Sequence, residues 1–265
     1  MLISRAIRRG FTLIELLVVV SIIALLIAIL LPALGKAKDS SIRIQCLSYQ
    51  RQMVTATTAY GTDNRGQLIE ARIGGGGYVQ HALNVNEGTN GRDRDDPLFL
   101  ENSTVGERDF DDYGFPIEFF QDPGREFVPY ADMNSFVIGY QYFGGIKRWN
   151  AVPGAAGQLE GLSPVTVDDM TSDKTMVACS TMKERPWLAW GQITGPGARD
   201  GGMYVGAPSH GLNSAGEPNG GNHVFGDGSG RWVQFNEMFQ LQSWSGSRPN
   251  WYFQEDLGDY VPPGS

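Results

Sequence analysis

The fold is decided by an apolar stretch close to the start of the chain. Residues 11–34 read FTLIELLVVVSIIALLIAILLPAL, 24 residues that contain one charged side chain, Glu15. A helix of this length spans about 36 Å, which is enough to cross the hydrocarbon core of a bilayer. The stretch therefore predicts a transmembrane helix over residues 11–34.

A short basic segment precedes this helix. Residues 1–10 carry Arg5, Arg8 and Arg9 and no acidic side chain. The positive-inside rule places such a segment in the cytoplasm and sends the rest of the chain across the membrane. A cleaved secretory signal would end in a small-residue A-x-A-like site, and the sequence LLPALGKAKDS that ends the apolar run fits such a site poorly.

Two residues at the start of the apolar run point to a more specific role. Glu15 is an ionisable side chain inside the predicted membrane span, where an unpaired charge is costly, so we expect it to have a function and a cationic partner. Gly10 stands between the basic segment and the apolar run. Cleavage after Gly10 would create a new α-amino group at Phe11, and that amine would supply the cation.

Residues 8–17, RRGFTLIELL, closely resemble the prepilin peptidase recognition motif of the type IV pilin and type II secretion pseudopilin superfamily. The resemblance implies that the peptidase removes residues 1–10 as a leader and that Phe11 is then N-methylated. It also implies that Glu15 neutralises the amine of a neighbouring subunit during filament assembly. Many family members carry a helix-kinking proline where this chain has Pro32, so the resemblance implies a kink there.

The resemblance also sets the expected partners and location. The partners are prepilin peptidase, other pilin or pseudopilin subunits in a homo- or hetero-filament, and an inner-membrane assembly platform. The chain is expected to cross the inner (cytoplasmic) membrane once, with its head in the periplasm or outside the cell. In this interpretation it is a structural subunit of a type IV pilus-like or type II secretion pseudopilus filament and is not an enzyme.

Beyond Pro32 the apolar side chains become periodic. They recur at intervals of three and four residues, at Ile42, Cys46, Tyr49, Met53, Ala56 and Tyr60. This spacing is typical of an amphipathic helix with one face against a core. We expect that helix over residues 35–61, with Gly61 as its stop. A continuous helix from Phe11 to Tyr60 would be about 75 Å long.

The remaining residues, 62–265, are predicted to form an acidic, β-rich head. Residues 52–265 hold 14 basic and 27 acidic side chains, a net charge of −13. Such a surface argues against nucleic-acid binding, which needs a basic patch. The 35 glycines and 14 prolines of the chain indicate long, turn-rich loops. Apolar runs predict strands at 135–143 and 175–179, and 187–190 is a further strand candidate.

The clearest strand signal lies near the C-terminus. Residues 222–225 and 231–235 are β-prone and flank the Gly-rich loop 226–230, which predicts a hairpin. The wider pattern, from His210-Gly211 to Asp227-Gly228, resembles the ending H-G…N-x-x-F-x-D-G of many large-headed pseudopilin-like proteins.

That group often has a Cys-Pro pair in the middle of the chain. The nearest match in this sequence is Asp122-Pro123, which lacks the cysteine. The disulfide usual in the group is therefore not implied here.

The two cysteines, Cys46 and Cys179, exclude a disulfide scaffold and a four-cysteine zinc site. They could pair with each other, because the head would lie outside the cytoplasm. Core packing is the alternative for Cys46, and we favour it. The sequence does not show whether the two residues meet.

Metal and cofactor signals are weak. The chain has three histidines, which leaves little for a metalloenzyme. Asp109, Asp111 and Asp112 begin a partial match to a calcium-binding loop, but Tyr113 and Phe120 stand where two further ligands belong. A solvated acidic surface is the simpler interpretation. We therefore expect no cofactor, with calcium as the one candidate.

Other functions were weighed against the filament subunit. His223, Asp227 and Ser229 are a serine-hydrolase set in type, but close spacing on one hairpin does not make a triad, and turn chemistry explains them. The six tryptophans could stack on sugars, although aromatics in a β-rich head are more often core. The main alternative is a membrane-anchored envelope display protein that binds a glycan or protein and never polymerises.

Taken together, the sequence predicts an α+β protein. A long N-terminal α-helix, membrane-spanning in its first half and amphipathic in its second, packs on an antiparallel β-sheet head with long loops.

Overall fold

The computed structural model of the chain has the predicted α+β architecture, with a long N-terminal helix followed by antiparallel sheets. The structure describes residues 12–74, 77–84, 113, 116–132, 135–149, 159–185, 187–192, 204–244, 248–257 and 260. The chain divides into two compact units, Met1–Ser41 and Ile42–Ser265.

Helix α1 spans Leu13–Asp63 and contains Pro32. Thr12 is the residue before the first turn and Glu15 is the third helical residue. Their side chains and backbone N–H groups bond reciprocally, which is the capping box expected of the sequence T-x-x-E. The start of the helix is therefore specified locally, by two polar residues at the edge of the apolar run.

The helix ends two residues later than predicted, at Asp63. The Gly66 N–H donates to the carbonyl of Gly61 at 2.7 Å. Arg65 and Gly66 have φ angles of 58° and 80°, so the left-handed turn that stops the helix lies there. Gly61 itself lies within the helix, where a Cβ would come within 2.5 Å of the Val167 side chain. It is a close-packing position and not the stop.

From Ile42 onward, α1 buries one face against the head. Its fully buried residues are Cys46, Gln50, Met53, Val54, Ala56, Thr57 and Gly61. Ile42, Tyr49 and Tyr60 of the predicted stripe are half-buried at the edges of this face. The amphipathic interpretation is thus confirmed. Gln50 and Thr57 were missed because the stripe was built from apolar residues alone.

In the described residues the head contains twelve short strands. They are β1 (Ala71–Gly74), β2 (Gly77–Asn84), β3 (Tyr130–Asp132), β4 (Ser135–Val137), β5 (Tyr140–Tyr142), β6 (Arg148–Trp149), β7 (Leu159–Glu160), β8 (Thr175–Cys179), β9 (Gly221–Phe225), β10 (Gly230–Val233), β11 (Phe239–Trp244) and β12 (Arg248–Tyr252). One four-stranded sheet has the order β1-β2-β4-β3 and a second has the order β10-β9-β8-β5. Two-stranded ribbons, β6-β7 and β11-β12, complete the set. All pairings are antiparallel.

The run 135–143, predicted as one strand, forms two strands in different sheets. The break falls at Gly139, whose N–H donates to the Phe120 carbonyl at 2.8 Å. A Cβ at Gly139 would lie 2.6 Å from the backbone nitrogen of Asp122. The chain therefore leaves the first sheet at a glycine in order to pass closely against the loop that carries Asp122.

The other two strand predictions had opposite outcomes. Strand β8 occupies 175–179 as predicted. The prediction of a strand at 187–190 is wrong, because these residues form turns. Their backbone bonds are local: the Leu188 N–H donates to the Arg185 carbonyl, and the Gln192 N–H to the Ala189 carbonyl.

The predicted C-terminal hairpin is confirmed. Strands β9 and β10 pair in register from Gly230 opposite Val224 to Val233 opposite Gly221. The Asp227 carboxylate accepts the Ser229 N–H at 2.8 Å, and Gly228 takes the left-handed conformation, so this pair shapes the loop. The second strand ends at Val233, earlier than expected.

His223 on β9 is fully buried. Its Nε2 accepts the Phe253 N–H at 3.1 Å, and its Nδ1 lies 3.2 Å from the Gly221 carbonyl, to which it donates. These two bonds require the neutral ring. Burial lowers the pKa of His223 to about 4, even though the bond to Gly221 opposes the shift.

We predict that protonation of His223 destabilises the head in mild acid. The pKa is lower in the fold than the value of about 6.5 in an unfolded chain. The stabilisation from the neutral ring is therefore complete above pH 6.5 and is lost as the pH falls toward 4, by up to about 3 kcal/mol. The measurement is thermal unfolding of the full chain in detergent, followed by near-ultraviolet circular dichroism at about pH 7 and about pH 4.5.

The control for this prediction is His223→Gln, which removes the titrating group. The variant should lose less stability than the wild type between the two pH values, whatever its stability at pH 7. An equal loss in both proteins would contradict the assignment.

Candidate functional site

The N-terminal site begins with the Thr12–Glu15 pair. The N–H and the hydroxyl of Thr12 donate to the same Glu15 oxygen, Oε2, at 2.9 and 2.8 Å. The Glu15 N–H donates in return to the Thr12 hydroxyl oxygen at 3.2 Å. Neither donor to the carboxylate is a cation. Among the described residues, Oε1 of Glu15 has no partner.

The helix that follows is apolar on all sides, and its side chains are exposed in the part of the chain that the structure describes. Sixteen large apolar side chains between Leu13 and Leu34 are 46% to 86% exposed. The hydroxyl of Ser21 is satisfied inside the helix by the Leu17 carbonyl, at 2.8 Å. In the described residues, α1 is the one helix long and apolar enough to cross a membrane.

Several predicted site residues cannot be placed by this structure. Gly10 and Phe11, the predicted cleavage and methylation residues, lie outside the described residues. So do the calcium candidates Asp109, Asp111 and Asp112.

Pro32 lies inside α1, where it removes the N–H that would bond the Ala28 carbonyl. The kink expected there stays a prediction.

In the head, the structure brings the two cysteines together. The Sγ atoms of Cys46 and Cys179 lie 2.8 Å apart, both residues are buried, and both are free thiols. Two more side chains converge on them, and the ligand atoms of all four lie within 4.8 Å of one another. We call Cys46, Asp122, Cys179 and His210 the four-residue cluster.

Each member of the cluster comes from a different element. Cys46 lies on α1 and Cys179 ends β8. Asp122 follows a 3₁₀ turn at Ile117–Phe120, and His210 lies in the segment before β9. The cluster therefore forms only when α1 has docked on three separate parts of the head.

Backbone contacts hold the segments in place. The Ser180 N–H donates to the hydroxyl of Ser209 at 3.1 Å, and the Ser209 N–H donates to the Ser180 carbonyl at 3.2 Å. Gly124 packs so tightly on the Ser209 carbonyl that a Cβ would overlap it. These contacts join the neighbours of Asp122, Cys179 and His210 to one another.

The pKa values of the two cysteine thiols in the cluster shift in opposite directions. Burial, followed by the bond to Cys179 and the charge of Asp122, raises the pKa of the Cys46 thiol well above its usual range. Burial also raises the pKa of Cys179, but hydrogen bonds with Cys46 and His210 outweigh it and the pKa is lowered. His210 Nε2 lies 3.2 Å from the Cys179 sulfur, and despite burial that contact raises the pKa of the imidazole.

The sequence had pointed to each cluster member for a separate reason. Cys46 and Cys179 were possible disulfide partners, and the structure shows that they meet. Asp122 stands at the nearest match to a Cys-Pro pair, and His210 belongs to the C-terminal pattern H-G…N-x-x-F-x-D-G. Their convergence was missed, because nothing in the spacing of four residues spread over the chain indicates a common site.

The serine-hydrolase set of the C-terminal hairpin does not come together in the structure. His223 bonds the backbone of Gly221 and Phe253, and not Asp227 or Ser229, so the described residues form no triad on this hairpin.

The tryptophans are mixed in exposure. Trp149 is fully buried and stacks on Phe143 and Tyr252, whereas Trp187 is 74% exposed. Trp190 packs on Trp251 with ring centroids 4.9 Å apart.

Comparisons with known proteins bear on the N-terminal segment. A family model described as the prokaryotic N-terminal methylation motif matches residues 5–31. No curated protein and no solved structure matches the chain. The matched residues include the three arginines of the basic segment, Glu15 and most of the exposed apolar helix. The chain therefore carries the prepilin-type signature of type IV pilins and pseudopilins, which implies processing by prepilin peptidase.

Proposed function

We propose that the protein is a structural, non-catalytic subunit of a type IV pilus-like or type II secretion pseudopilus filament. The observation that carries the proposal is the uncovered apolar helix that directly follows the prepilin-type signature. Each large apolar side chain is worth about 1.5–3 kcal/mol when it leaves water, so sixteen of them cannot remain solvated. Lipid covers them before assembly, and neighbouring subunits cover them afterwards.

The order of events follows from the charges. The basic leader stays in the cytoplasm, and the head crosses the inner membrane into the periplasm or beyond. Prepilin peptidase cuts after Gly10, and methylation of the new Phe11 amine leaves its positive charge in place. The subunit then waits in the membrane until the assembly platform draws it into a fibre beside other subunits.

Glu15 makes contact with a neighbouring subunit more favourable than contact with lipid. Lipid tails are as apolar as leucine side chains, so exchanging lipid for another helix gives little hydrophobic gain. A carboxylate in that environment is costly unless it meets a cation. The free Oε1 of Glu15 is available for the Phe11 amine of a neighbouring subunit, while Oε2 remains bonded to Thr12.

A display role is the second candidate, and one observation favours it. Trp187 is 74% exposed, with the Arg185 guanidinium carbon 5.9 Å from its ring centroid. An exposed indole beside a cation is a suitable contact for a glycan or a protein ligand. A display protein would need the membrane helix but not the intersubunit charge pair.

We predict that Glu15→Gln is processed normally but enters filaments at least about tenfold less than the wild type. Glutamine preserves the capping box, since its oxygen can accept from Thr12, but it removes the charge. Incorporation is measured by a photo-crosslinker at the exposed position Leu25, which should give a ladder of oligomers, and by the amount of protein in sheared fibres.

Two further variants separate the effect of the Glu15 charge from that of its helix cap. Asp39→Asn makes the same chemical change on an exposed part of the same helix beyond the apolar run, and should behave as the wild type. Glu15→Val removes both charge and cap and should also fail to incorporate. If Glu15→Gln assembles normally while Glu15→Val does not, the residue acts only as a cap. If neither the wild type nor any variant enters crosslinked oligomers or sheared fibres, the display role is favoured. If all of them are incorporated equally, Glu15 has no part in assembly.

A further inference from the structure

The four-residue cluster brings together the donor types of a transition-metal site. It offers two cysteine sulfurs, an imidazole nitrogen and a carboxylate oxygen, all within 4.8 Å of one another. Zinc sites in proteins are usually four-coordinate and tetrahedral, with ligands drawn from these three residue types. Calcium and magnesium prefer oxygen ligands alone, so the two sulfurs argue against them.

The donors are slightly closer together than in a tetrahedral zinc site. In a tetrahedral site with zinc–sulfur bonds of about 2.3 Å, two sulfurs lie about 3.8 Å apart and a sulfur and a nitrogen about 3.5 Å apart. Cys179 Sγ lies 3.2 Å from His210 Nε2, and the two sulfurs lie 2.8 Å apart. An ion would therefore enter with an outward movement of the cysteine side chains of about 1 Å.

Asp122 provides an independent indication of a ligand. Its side chain is fully buried. Oδ1 accepts the Gly124 N–H at 2.9 Å, but Oδ2 is buried with no hydrogen-bond partner among the described residues. A buried carboxylate oxygen without a partner is costly, and coordination to a cation removes that cost.

The side-chain amide of Gln50 lies beside both cysteine sulfurs. Its side-chain Nε2 donates to Cys179 Sγ at 3.2 Å and lies 3.6 Å from Cys46 Sγ. Hydrogen bonds of this kind orient ligating groups and disperse the charge of thiolates. They also explain why a glutamine is buried in the face of α1 that packs on the head.

We propose that Cys46, Asp122, Cys179 and His210 bind one zinc ion, which fastens helix α1 to the head. Binding displaces the protons of both thiols to the solvent, leaving two thiolates, a carboxylate and a neutral imidazole around the ion. A disulfide between the cysteines is the competing state. It would use two of the four side chains and leave the buried Oδ2 of Asp122 without a partner.

The test is the metal content of the full chain, purified from membranes in detergent without chelator or reductant. We expect about one zinc ion per chain and no disulfide between Cys46 and Cys179. Replacing zinc by cobalt should give the visible bands of a tetrahedral ion and a thiolate-to-cobalt charge-transfer band. Protein that carries no metal and is two hydrogens lighter, because Cys46 and Cys179 are joined, would overturn the proposal.

Variants then test the individual ligands. Cys46→Ser should lose most of the charge-transfer band, and Asp122→Asn should weaken zinc binding at least about tenfold. Asp227→Asn is the matched control, because Asp227 lies in the exposed loop between β9 and β10, and it should bind as the wild type. Equal zinc affinity for Asp122→Asn and Asp227→Asn would remove Asp122 from the site and contradict the four-ligand arrangement.

Discussion

The exposed apolar surface of the first half of helix α1 is the constraint that shapes this protein. The side chains from Leu13 to Leu34 are exposed on every side of the helix. Such a surface is costly in water, and in the proposed function lipid or another subunit covers it. In the proposed function the hydrophobic effect hardly distinguishes lipid from a neighbouring helix, and the single carboxylate of Glu15 is the group that can.

The second part of the same helix, in contrast, is partly buried. From Ile42 onward it presents one buried face to the head, and polar contacts join the helix to the head on this side. Asn222 on β9 donates to the Arg43 carbonyl at 2.6 Å, and Gln50 reaches the sulfurs of Cys46 and Cys179. One helix thus carries two interfaces, an apolar one for its environment and a partly polar one for its own head.

The sequence allowed the periodic and local features to be predicted. The apolar run, the stripe through Cys46 and Met53, strand β8 and the hairpin around Asp227-Gly228 all depend on short-range spacing and turn chemistry. Predictions failed where tertiary contacts decide the backbone, as at Gly139, which splits a predicted strand, and at Gly61, which is a packing position. The four-residue cluster could not be predicted, because four distant segments create it.

The most direct test of the account is the intact mass of the protein purified from its native membranes, combined with N-terminal sequencing. We predict a chain that begins at Phe11 and carries one methyl group on its N-terminal amine. A chain that still begins at Met1, or one cut after the apolar run, would contradict the account, because neither form has the charged amine that Glu15 is proposed to meet.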